Sequence, residues 1–86
     1  MAKIEIYSTD HCPYCHNAKQ LFAKLGVEYH EYRVDQYAKK LTEMQKRSQG
    51  AKSVPQIFID DRHIGGYSDL LELKKKNKLA AMLGNN

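Results

Sequence analysis

The chain holds two cysteines, Cys12 and Cys15, both within Thr9-Asp10-His11-Cys12-Pro13-Tyr14-Cys15-His16. This segment follows a strand-like run, Lys3 to Tyr7, and opens a helix-like one, Tyr14 to Leu25. A helix start leaves backbone N–H groups without internal partners, and the aligned peptide dipoles add partial positive charge there. A cysteine at that point is stabilised as its thiolate, and its pKa can fall from about 8.5 to about 3.5–7.5. Cys12 is expected at the N-cap, with Pro13 at the first helical position, where a missing N–H costs nothing and φ already suits a helix. Cys15 returns to the same face, within reach of the Cys12 sulfur. The pattern reads as a redox dithiol, with Cys12 the exposed nucleophile and Cys15 the more covered resolving thiol.

Other chemistries share these residues. Cys12-Pro13-Tyr14-Cys15-His16 also matches a c-type haem attachment pattern, which would normally accompany an export signal. His11, Cys12, Cys15 and His16 are zinc-ligand types, but a run this short cannot easily surround one tetrahedral ion, and no further cysteine offers a distant ligand pair. A purely structural disulfide here would close too small a loop to constrain the unfolded chain much.

Eighty-six residues, 42% hydrophobic and 28% charged, fit one small soluble domain, 1–86, with a core but little to spare. No apolar run approaches the roughly 18 residues of a membrane span. The chain enters a strand pattern at once, with no signal-peptide apolar region, so a cytoplasmic location is expected. There a Cys-x-x-Cys is more often catalytic than structural. The net charge of +4 raises nucleic acid as a partner. The lysines are scattered over solvent-facing helix positions and the aromatics do not interleave with them, so neither nucleic acid nor membrane is expected as a partner.

Elements must position the dithiol. Ile4 and Ile6 alternate with Glu5 in the first strand; Cys15, Ala18, Leu21, Phe22 and Leu25 keep helical spacing, and Gly26 stops the helix. Val27 to Val34 reads as a second strand. Asp35 is placed to cap a second helix carrying Tyr37, Leu41 and Met44, which frays by Ser48. After Ser53-Val54-Pro55 an apolar run through Ile59 gives a third strand, and Asp60-Asp61 turns into a fourth, Arg62 to Ile64. Ser68 is the expected N-cap of a third helix, and Lys78 to Leu83 forms a short last one. The order βαβαββα, plus the short C-terminal helix, predicts an α/β fold. Its mixed four-stranded sheet carries helices on both faces, and the Cys12 loop lies at the carboxyl end of the first strand.

Three anchors in this order, Cys12-Pro13-Tyr14-Cys15, Ser53-Val54-Pro55 and Gly65-Gly66-Tyr67-Ser68-Asp69, make the whole chain resemble the glutaredoxins of the thioredoxin-like superfamily. The nearest look is to the short bacterial dithiol members. The resemblance implies a glutathione-dependent thiol–disulfide oxidoreductase that reduces protein–glutathione mixed disulfides and protein disulfides. It implies glutathione as co-substrate, no permanently bound cofactor or metal, a monomer, and partners that include ribonucleotide reductase. It also implies a cis Pro55 and a glutathione groove. Val54 would pair with the extended peptide through its backbone, Gly66 would allow close approach, and the helix start at Ser68 and Asp69 would take the γ-glutamyl end. Tyr14 would flank the groove, since a phenol of pKa about 10 is a poor base at neutral pH.

Many relatives carry a lysine where this chain has Thr9. Arg47, Gln49 or Lys52 is offered for the glycyl carboxylate instead, and His11 for support of the thiolate. Two alternatives remain open beside this reading: a reductase-fed, thioredoxin-like electron donor, and an iron–sulfur carrier holding a cluster through Cys12. The stiff Pro13-Tyr14 pair disfavours the second.

Overall fold

Residues 2–84 are described by the structure, a computed structural model. Its sheet is built from Ile4–Ser8 (β1), His30–Arg33 (β2), Gln56–Ile59 (β3) and Arg62–Gly65 (β4), in the order β2-β1-β3-β4. β1 runs parallel to β2 and antiparallel to β3, and β4 is antiparallel to β3. Strand alternation sorts side chains to two faces. Ile4, Ile6, Ile57 and Ile59 meet Ala18, Leu21, Phe22, Leu70, Leu79 and Leu83 in the larger core. Tyr7 and Phe58 point the other way and pack with Val34 and Met44.

The helices are Pro13–Lys24 (α1), Ala38–Arg47 (α2), Tyr67–Lys75 (α3) and Leu79–Met82 (α4). The predicted element order is therefore present, with differences at the boundaries that have local causes. β2 starts at His30 rather than Val27 because Gly26 and Val27 complete the exit of α1: Gly26 N–H bonds Ala23 O and Val27 N–H bonds Phe22 O. That pairing is the Schellman arrangement, and it requires the left-handed φ of +70° that Gly26 adopts. Asp35 does not cap α2. Its carboxylate is held by the Arg33 guanidinium at 2.7 and 2.9 Å and by the Asp10 N–H, so Tyr37 stands at the N-cap without a side-chain bond. Ser68 is likewise not a cap. Gly66 is the N-cap of α3, and Asp69 reaches back to accept its N–H at 2.9 Å.

Glu5 occupies a place that strand alternation alone would not explain. It is buried in the central strand, only 4% exposed, on the face covered by α2. Arg47 binds both of its carboxylate oxygens, at 2.9 and 3.1 Å, and lies 4.1 Å from the Phe58 ring. Burial pushes the Glu5 carboxyl up, but the bonds and charge of Arg47, the Tyr32 hydroxyl and Lys3 outweigh it, and the net shift is below the ordinary value. The same guanidinium donates to the Tyr7 hydroxyl, which in turn donates to Glu43. Burial and that acceptor hold the Tyr7 phenol far above its usual range.

Candidate active site

β1 delivers the chain at Ser8 to the loop that ends in Cys12. Cys12 is the N-cap of α1, with extended backbone (φ −123°, ψ 103°), and Pro13 is the first helical residue. The Cys12 sulfur accepts the Cys15 N–H at 3.1 Å, which satisfies one donor of the helix start. No acidic residue stands in the first turn of α1 to oppose a thiolate there. Cys12 and Cys15 are joined as a disulfide, with Cα atoms 5.2 Å apart. Cys12 is not the exposed thiol that the sequence led one to expect: both cysteines are buried in the disulfide, Cys12 at 7% exposure and Cys15 at 0%.

Contacts from two other elements pin the preceding loop. The Asp10 N–H bonds Asp35 at 3.1 Å, its carbonyl faces His16 Nε2 at 3.0 Å, and its carboxylate lies 3.9 Å from Arg33. The Arg33 bonds come first in holding the exposed Asp35 carboxyl down to about 2. Thr9 is half-buried. His11 projects fully into solvent, 4.0 Å from Asp10. His16 faces the Asp10 carbonyl and the two sulfurs are bonded to each other, so the four zinc-type residues do not converge on one point.

Beside Cys12 runs an open groove of about 480 Å³, lined by Tyr14, Ser53, Val54, Pro55, Gly66, Tyr67, Ser68 and Leu71. The Val54–Pro55 bond is cis, and the Val54 carbonyl oxygen lies 3.6 Å from the Cys12 sulfur. Tyr14, 63% exposed, stacks on Tyr67 at 6.3 Å between centroids. The structure places Tyr14, Val54, Pro55, Gly66 and Ser68, the residues that the resemblance implied for a glutathione groove, along one groove. Sequence reasoning missed Tyr67, Ser53 and Leu71 as groove residues. The signal for Tyr67 was its place at the first position of α3, directly after the glycines that shape the wall. Gly65 has φ +113°, and a Cβ there would collide with the Asp69 carboxylate. Only glycine lets that carboxylate fold back to its cap.

Asp69 accepts the N–H of the groove residue Gly66, so its carboxylate stands beside the groove as the cap of α3, although it is not part of the groove lining. Two expectations change. Arg47 is withdrawn altogether: its partners are Glu5, Tyr7 and Asp61, and the Asp61 turn is at the end of the sheet away from the Cys12 loop. Gln49 lies outside the groove lining. It is the left-handed residue (φ +60°) that ends α2, its N–H bonded to Lys46 O and that of Gly50 to Gln45 O.

Comparison with known proteins agrees with this geometry. The family model for glutaredoxin matches residues 4–64. Glutaredoxin 3 of Escherichia coli K12 is 49% identical over 83 residues, covering 96% of this chain and 99% of its own length. A glutaredoxin of Pseudomonas aeruginosa is 40% identical over 83 residues, covering 96% and 98%. Among solved structures, the buckwheat glutaredoxin–glutathione complex superposes with a TM-score of 0.86 at 30% identity, over 96% of this chain and 77% of that one. The Brucella melitensis glutaredoxin gives 0.82 at 41% identity, over 96% and 89%. A dithiol on a helix N-cap, a cis-proline wall facing it and relatives matched along nearly their whole length lead to one conclusion: the chain belongs to the glutaredoxin family.

Proposed function

We propose that the protein is a glutathione-dependent dithiol oxidoreductase in which Cys12 is the nucleophile, Cys15 the resolving thiol and the groove between Val54 and Ser68 the glutathione site. One observation supports the division of labour: the Cys12 sulfur lies 3.6 Å from the carbonyl oxygen of the groove residue Val54 and accepts a helix-start N–H, while Cys15 is fully buried.

The Cys12 thiolate attacks the glutathione sulfur of a protein–glutathione mixed disulfide. That S–S bond breaks, a Cys12–glutathione bond forms, and the protein thiolate leaves and takes a proton from water. A second glutathione thiolate attacks the bound glutathione sulfur, releasing glutathione disulfide and the Cys12 thiolate. With a protein disulfide, Cys12 forms the mixed disulfide, and the Cys15 thiolate then attacks the Cys12 sulfur, expels the substrate thiolate and leaves the Cys12–Cys15 bond. Two glutathione molecules reduce that bond in turn. In the groove the Val54 backbone pairs with the peptide, Gly66 permits close approach, and the start of α3 at Ser68, with Asp69, takes the γ-glutamyl group. Tyr14 and Tyr67 form an apolar flank.

The protein substrates are of the kind served by its relatives, ribonucleotide reductase among them, and the enzyme acts as a cytoplasmic monomer. Among the described residues no helix is long and apolar enough to cross a membrane. The test is turnover of a glutathionylated peptide with glutathione, glutathione reductase and NADPH. Cys12→Ser abolishes it; Cys15→Ser keeps it and loses reduction of protein disulfides. Equal loss of both activities in the two variants would overturn the assignment.

A further inference from the structure

β3 is an apolar strand apart from Gln56, which is 4% exposed on the α2 side of the sheet. Burying an amide is costly unless every polar atom finds a partner. Here each does. The Gln56 amide nitrogen donates to the Ser53 carbonyl at 3.0 Å and to the Ser53 hydroxyl at 3.2 Å, and its oxygen faces His63 Nε2 at 2.6 Å. A carbonyl only accepts, so the Ser53 contact fixes which end of the amide points where. The amide oxygen must then face His63, and Nε2 must carry a proton. His63 is itself held on β4, stacked on Phe58 with centroids 5.0 Å apart.

Ser53 immediately precedes Val54 and Pro55, the groove wall whose carbonyl sits 3.6 Å from the Cys12 sulfur. The opposite wall approaches closely: a Cβ at Gly66 would lie 3.7 Å from the Pro55 carbonyl oxygen. We infer that Gln56 is a positioning residue, oriented by His63, whose buried amide fixes Ser53 and so sets the Val54 backbone at the spacing that the glutathionyl chain needs. The relay runs from an edge strand, under the sheet, to a wall beside the dithiol, and none of its side chains touches a sulfur.

This inference rests on the groove being the glutathione site, and the experiment separates the two. Gln56→Leu removes the amide at similar volume, Gln56→Glu keeps the size but, when ionised, cannot donate to the Ser53 carbonyl, and His63→Phe keeps the stack while deleting its bond. Steady-state kinetics with a glutathionylated peptide, well below the melting temperature of each variant, should raise KM about 3- to 10-fold for both Gln56 variants and about 2- to 3-fold for His63→Phe. The kcat should stay within about twofold. A merely structural defect would lower the active fraction, and hence kcat, without this split. Independently of any ligand, the wild-type nitrogen NMR spectrum should show His63 protonated at Nε2 when neutral, and Gln56→Leu should shift the Ser53 and Val54 amide resonances. An unchanged KM in both Gln56 variants, or a neutral His63 protonated at Nδ1, would overturn the relay. Wild-type turnover that fails to saturate with the glutathionylated peptide would overturn the groove assignment instead, and the NMR measurements would still decide the relay.

Discussion

Replacing Arg47 tests its removal from the groove. Arg47→Met keeps an unbranched stem over Phe58 and takes away the charge. Glu5 is then left buried, with the Tyr32 hydroxyl at 3.1 Å and the Lys3 ammonium at 3.9 Å as its remaining partners. Removing one member of a buried pair costs about 3–5 kcal/mol. The guanidinium side chain is 24% exposed and Lys3 remains, which brings the expected loss to about 2–3 kcal/mol, or about 10–20 °C in melting temperature for a domain of this size. The pH dependence carries the sign. In the native protein the Glu5 carboxyl lies below its ordinary value, so its contribution is present above the unfolded pKa and is lost as pH falls through the folded one. Without Arg47, burial dominates and the carboxyl rises above the unfolded value. The variant then carries a penalty at neutral pH that disappears on acidification, and the stability gap to wild type should narrow from pH 7 toward about 4. Urea unfolding at several pH values measures the gap, and Glu5→Gln added to Arg47→Met should recover most of it. KM for a glutathionylated peptide should stay within about twofold. A loss under about 0.5 kcal/mol, or a gap that widens in acid, would refute the ion-pair argument; a large rise in KM would return Arg47 to the groove.

Asp69→Asn keeps an oxygen for the Gly66 N–H while removing the charge, so efficiency with glutathionylated substrates should fall about 5- to 30-fold with little change in the urea midpoint. A parallel fall with a disulfide lacking the γ-glutamyl group would leave Asp69 a cap alone. Asp35 should titrate at about 2 by NMR, below its unfolded value, so its contribution is lost as pH falls from about 4 toward 2. Arg33→Ala should move that midpoint upward. Thr9→Lys should shift the alkylation midpoint of Cys12 to lower pH, because an added cation favours the thiolate. An unmoved midpoint would mean that the helix start and the Cys15 N–H already set its acidity.

Local signals were legible. Cys12 and Pro13 announced the start of α1, Gly26 its end, and the βαβαββα order followed from short alternating or apolar runs. What failed was competition among groups that the sequence places close together: Arg33, two residues away, takes the Asp35 carboxylate that would otherwise cap α2, and Asp69 rather than Ser68 secures the start of α3. Val27 looked like strand because its side chain suits one, yet its N–H is committed to Phe22. The pairing of Glu5 with Arg47 spans 42 positions and has no local mark at either end. A basic residue at the end of α2, shortly before the Val54–Pro55 wall, looks like a ligand contact until its partner on the central strand is known. Gln56 was hidden inside what read as an apolar run.

The order of the sheet also bears on how the protein behaves when crowded. Its outer strands, β2 and β4, are four residues each, and an unpaired strand edge is a template on which another chain can add. Both are poor templates. β2 carries Glu31 and Arg33, β4 begins with Arg62 and His63, and the β3–β4 register shifts between Ile57 and Phe58. A copy docking edge to edge would have to match charges along a short, irregular ladder while two bodies of net charge +4 approach each other. Concentrated solutions should therefore resist gelation and fibre formation while the fold is intact, and that resistance should fail once β1 and β3, the apolar inner strands, come out of the sheet.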